Sequence, residues 1–124
     1  MRLSSFFIVV FCLVAVSGLV YAGIEAGEDS LSKLLDGNRR YTSGEPAQKD
    51  VGGNRRQELT KGQHPFATVL SCSDSRVVPE VIFDQGLGYV FVLMVAGNVV
   101  ESSTLGSIEY GAEHLFAAAC HTGS

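Results

Sequence analysis

Between Ser71 and Glu80 the chain places a thiol (Cys72), a carboxylate (Asp74), a hydroxyl (Ser75) and a guanidinium (Arg76) within five residues. A thiolate is a soft ligand that suits zinc. An arginine can grip a carboxylate through charge-assisted hydrogen bonds, which would hold Asp74 ionised and oriented beside the thiol. The C-x-D-x-R spacing therefore allows a metal ligand with an aligned acceptor next to it. It equally allows a buried cysteine followed by a polar turn, with Asp74 and Arg76 as a surface ion pair, because so short a motif recurs by chance.

The flanking residues say how such groups would be positioned. The apolar run ahead of Cys72 predicts a buried strand over Phe66–Ser71. Open α/β sheets place their sites at the carboxyl ends of such strands. Pro79 and Glu80 suit the first turn of a short helix reaching Phe83. Tyr89–Ala96 is apolar on both faces, as a central parallel strand would be, and Gly97-Asn98 ends it. Gly86-Leu87-Gly88 precedes that strand instead of following one, so it is not a dinucleotide loop. Downstream, Ser102 or Ser103 would cap a helix whose apolar face is Leu105, Ile108, Ala112 and Leu115.

Upstream, Leu31, Leu34, Leu35, Asn38 and Tyr41 fall at helical spacing, with Ser30 as the N-cap and Gly44 past the end. That helix must pack on its own domain or reach across to a second subunit. A shorter helix is predicted over Asn54–Lys61, capped by Asn54 and ended by Gly62. His64 falls in the loop entering the first strand and reads as a solvent-exposed histidine. Strands alternating with helices imply an α/β fold, a parallel β-sheet flanked by helices, with a weak last strand.

With 124 residues there is room for one domain. Nine Lys and Arg stand against 13 Asp and Glu, net −4 with no basic stripe, which argues against a nucleic-acid partner. The 46% hydrophobic content argues against disorder. At the N-terminus, Arg2, the apolar run Phe6–Val16 and the small residues before Gly23 form a secretory signal-peptide pattern over residues 1–22. The run is short for a span of roughly 20 residues, so no stable membrane span is expected after cleavage. The mature domain would then be 23–124, secreted or periplasmic. Cys12 leaves with the leader, whereas Cys72 and Cys120 remain where disulfides are permitted and could be oxidised to each other.

Taken together, several ordered motifs make the chain similar to the β-class carbonic anhydrases from about Leu31 to about Leu115. Leu35–Tyr41 resembles the family's N-terminal helix, and Lys61–Pro65 the approach to its first strand. Cys72-Ser73-Asp74-Ser75-Arg76 resembles its C-x-D-S-R motif; Phe83–Gly88, Ala96-Gly97-Asn98 and Gly106–Tyr110 follow in the family's order.

The resemblance implies zinc-dependent, reversible hydration of carbon dioxide to bicarbonate by a homodimer or larger assembly, with the N-terminal helix laid across the partner. Zinc brings the pKa of a bound water from 15.7 to about 7, and three protein ligands leave the fourth tetrahedral position open. In the family these ligands are two Cys and one His. By resemblance, Cys72 is the first ligand, Asp74 orients the attacking water or itself ligates the metal in a closed resting state, and Arg76 holds Asp74.

The C-terminus departs from the pattern. The family's H-x-x-C aligns with His121-Thr122-Gly123-Ser124, so His121 is a candidate ligand while Ser124 replaces the second Cys. A neutral hydroxyl substitutes poorly for a thiolate. The run Phe116–Cys120 is short and Ala-rich for a strand, which implies a fold incomplete at the C-terminal end. His114 is expected on the helix face as a non-ligand. Met94 replaces a basic residue common in the family, and Val78 a proline. The alternative to an enzyme is a non-catalytic, truncated family fragment without a complete zinc site.

Overall fold

A computed structural model of the chain describes Tyr21, residues 27–115 and residues 117–121. The predicted leader apart from Tyr21, and Ser124, fall outside them, as do the side chains of Ala119, Cys120 and His121. Helix α1 covers residues 27–43, followed by α2 (Gly53–Leu59), β1 (Ala67–Cys72), α3 (Pro79–Ile82) and β2 (Val90–Val95). A 3-10 turn (Ala96–Asn98), α4 (Ser102–His114) and β3 (Ala118–His121) complete the order. The strands form one parallel sheet in the order β2-β1-β3. Among the described residues no helix is long and apolar enough to cross a membrane.

The central strand is β1. Its residues Ala67–Ser71 are buried without interruption, as expected for a parallel strand covered on both faces. The apolar run of β2 predicted a central strand too, but β2 lies at an edge with Met94 43% exposed. An apolar run records what a strand could bury, not which neighbours it has. The weak last strand does form: Ala118 pairs with Ala67, and His121 stands beside Leu70. Parallel ladder bonds compensate for the low strand propensity of alanine.

The helices approach the sheet through small residues more than through the predicted leucine stripes. On α1, Ser30, Leu34 and Gly37 are buried, while Leu31, Leu35 and Tyr41 are exposed. Ser30 is not the N-cap, since the helix already includes residue 27; its hydroxyl donates to the Phe66 carbonyl at 2.9 Å. Gly37 brings the helix so near that an added Cβ would lie 1.7 Å from the Phe83 oxygen. Leu34 joins Ala67, Val69 and Val90 in the core, with Phe66, Phe83 and Val92 packed around them.

Helix α4 is likewise rotated from the predicted face. It buries Thr104 and Gly111, and Leu105 is 46% exposed. A Cβ at Gly111 would meet Thr68 Oγ1 at 2.4 Å, so the helix seats against β1 where it has no side chain. Neither α2 nor α4 has a side-chain N-cap; Gly52 and Glu101 hold those positions, not Asn54 or a serine.

Candidate functional site

Cys72 is the last residue of β1, so the strand itself carries the thiol to the carboxyl edge of the sheet. Here the ladder is one-sided: Cys72 pairs with Val95 on β2, while the described pairing with β3 ends at Leu70. The Ser73 N–H extends the β2 side by donating to the Val95 carbonyl at 3.1 Å. Cys72 is a free, half-buried thiol; the side chain of Cys120, with which the sequence allowed a disulfide, lies outside the described residues. Its sulfur accepts a hydrogen bond from the Gly97 N–H at 3.4 Å.

Beyond the strand the chain turns, with the Val77 N–H donating to the Asp74 carbonyl at 3.0 Å. The turn folds Arg76 back over Asp74. Arg76 donates to Asp74 Oδ1 through its backbone N–H at 2.9 Å and through Nε at 3.0 Å, while Nη2 reaches Oδ2 at 2.7 Å. These bonds hold the Asp74 carboxyl below its usual range, the side-chain bonds to Arg76 contributing most and its backbone N–H next. Asp74 is therefore a fixed anion that can only accept hydrogen bonds. The Arg76 side chain is otherwise open to solvent, 87% exposed.

The register places the His121 backbone beside Leu70, one strand over and two residues short of Cys72. His64 lies exposed in the loop before β1. His114 is exposed on α4 and stacks on the Tyr110 ring at 4.8 Å. Among the described residues no three His, Cys, Asp or Glu side chains converge as a metal site. What does fit a zinc ion is a soft thiol with a backbone donor on its sulfur, at a strand end with a histidine-bearing strand alongside.

Two contributors escaped the sequence reading. Gly97 was legible as the end of a strand and as part of the Ala96-Gly97-Asn98 motif, but neither says that its amide meets the sulfur. Asp84 stands out in the sequence only as one residue of the Phe83–Gly88 stretch, yet its side chain is wholly covered. It receives Arg40 Nε at 2.5 Å, pairs with Lys49 and accepts the Ala47 N–H at 3.1 Å. Lys49 and then Arg40 drive its carboxyl far below the ordinary range. The clue was a pair of cations, Arg40 and Lys49, upstream of a lone buried acid, but nothing in the spacing joins them.

Residues 67–119 match the family profile described as carbonic anhydrase. Over 77 residues the chain is 51% identical to a carbonic anhydrase of Mycolicibacterium smegmatis, covering 62% of this chain and 37% of that protein. It is 48% identical, over the same shares, to carbonic anhydrase 2 of Mycobacterium tuberculosis. The chain thus spans 37% of the length of these curated relatives. Among solved structures, the β-carbonic anhydrase CafA of Aspergillus fumigatus superposes with a TM-score of 0.53 at 30% identity, over 56% of this chain and 36% of its own. A tetrameric β-carbonic anhydrase of Sordaria macrospora shares the fold over 92% of this chain and 48% of its own, with a TM-score of 0.54 at 24% identity. A β1 strand ending in Cys72, the Asp74–Arg76 clamp and these matches point the same way: over the part they cover, the chain is similar to the β-class carbonic anhydrases.

Proposed function

We propose that the protein catalyses the reversible hydration of carbon dioxide to bicarbonate and a proton. The observation that carries this reading is the Asp74–Arg76 clamp two residues after a free thiol at a strand end. Cys72 and His121 would hold zinc. The metal would supply a Lewis acid that makes water a nucleophile at neutral pH. Asp74, kept ionised by Arg76, accepts a hydrogen bond from the attacking water and turns its lone pair toward the carbon. Arg76 bonds both carboxylate oxygens, and the lone pairs left over let Asp74 accept from that water. Arg76 acts through Asp74, as a positioning residue.

The proposed working form is a homodimer or larger, with the exposed face of α1 against a second copy. The apolar leader supports a secreted or periplasmic location, and N-terminal sequencing of the exported protein would then begin at Gly23. Stopped-flow hydration with a pH indicator tests the activity, run beside metal analysis of the same samples. Zinc-dependent hydration that disappears in Cys72→Ala is the expected result. A zinc-loaded protein without hydration activity overturns the enzymatic reading, and a protein that takes up no zinc supports the incomplete-site alternative.

A further inference from the structure

The turn after β2 is unusual in its backbone. Gly97 has φ 68 and ψ 17, and Asn98 follows at φ 43, so two successive residues are left-handed. Nothing lies within 4 Å of where a Cβ on Gly97 would stand. Space therefore does not require glycine there. The conformation does, since left-handed backbone is open to glycine and strained for most other residues. What this turn accomplishes is visible at its amide: the Gly97 N–H points at Cys72 Sγ, 3.4 Å away. Asn98, though not a glycine, is left-handed and buried.

We propose that Gly97 is a positioning residue, whose backbone N–H fixes the Cys72 sulfur so that a soft divalent metal meets an already oriented ligand. The inference rests on the reading of Cys72 as a zinc ligand given above. Once the sulfur is a metal-bound anion, the bond becomes charge-assisted and stronger than one to a neutral thiol. Groups that orient a ligand in this way commonly change metal affinity by about 10–100-fold when altered. The donor comes from the turn that follows β2 and the ligand from the end of β1, so the two strands must be in register for the sulfur to be held.

The test uses the full, reduced chain labelled with nitrogen-15, observed by NMR. Hydrogen exchange at Gly97 is compared in the wild type and in Cys72→Ala. The expected result is exchange about tenfold faster at Gly97 in the variant, the scale of one lost hydrogen bond. Ser73, whose amide bonds to Val95 on the same strand end, should be unchanged. A general loosening would move both amides. Unchanged exchange at Gly97 overturns the proposal. In a second arm, NMR-active cadmium is added to the wild type and to Gly97→Ala, which keeps the amide but strains the turn. The expected results are a through-bond coupling from cadmium to the Gly97 amide proton and affinity about tenfold weaker in the variant. Cadmium coupled to the Cys72 β-protons but not to the Gly97 amide overturns the positioning role. If the exchange arm succeeds and no cadmium is bound, the zinc reading of Cys72 fails and the metal role of Gly97 falls with it, while the hydrogen bond stands.

Discussion

Asp84 and Asp74 show two uses of a clamped carboxylate. Asp84 has no exposed side-chain surface and is held by Lys49 and Arg40, tying α1 and the loop after it to the turn before β2. Its folded pKa lies below that of an unfolded carboxylate, near 3.9. The linked stabilisation is therefore fully present above about pH 4 and lost as pH falls toward the folded pKa. The urea midpoint of the wild type should drop through that acid range, and Asp84→Asn should lower the neutral midpoint and flatten the acid limb. Asp74 is depressed in the same direction, but its partner is largely in solvent, where an ion pair adds little stability. Its substitution should be felt in turnover. In the hydration assay Asp74→Asn should lower kcat by about 10–100-fold, with Arg76→Ala close behind. Thermal unfolding should move little in either variant.

The elements meet through glycines, and this gives a paired prediction. Gly37→Ala would drive a methyl group into the Phe83 carbonyl, and overpacking of that kind costs about 1–3 kcal/mol. Gly106→Ala, in α4 with nothing within 4 Å of its Cβ, should stabilise by about 0.5–1 kcal/mol through helix propensity. Urea titrations of both variants would show midpoints moving in opposite directions. The same glycines explain what the sequence could and could not reveal. Ala67–Cys72 and Val90–Val95 were legible as strands because their apolar runs are bounded by Pro65, Gly88 and Gly97. Cys72, Asp74 and Arg76 were legible because they are neighbours in the chain. The packed faces of α1 and α4 were not. A leucine stripe advertises itself, whereas a face of Ser30, Leu34 and Gly37, or of Thr104 and Gly111, is chosen by how closely two backbones can come. The Gly97–Cys72 bond was hidden for another reason: it depends on a register between strands, which no local pattern states.

At the scale of the whole molecule, α1 has a second face to account for. Leu34 is spent in the chain's own core, and Leu34→Asp would unfold the domain instead of reporting on assembly. Leu31 and Leu35, 48% and 47% exposed, are the appropriate probes. If a second copy covers them, each Leu→Asp forfeits roughly 1.5–3 kcal/mol of burial, weakening association about tenfold or more. Sedimentation equilibrium should show smaller species with helical content unchanged; an unaltered mass would rule out that face. The strand order has a consequence in time as well as in space. Ala67 must find Val90 on one side and Ala118 on the other, and the second loop is roughly twice the first, which adds about 0.6 kcal/mol of closure entropy. Loop closure alone therefore favours the β1–β2 ladder, with Gly97 at its far end, over the pairing with the strand bearing His121. The contact between the Gly97 amide and the Cys72 sulfur belongs to the pairing that this bias favours.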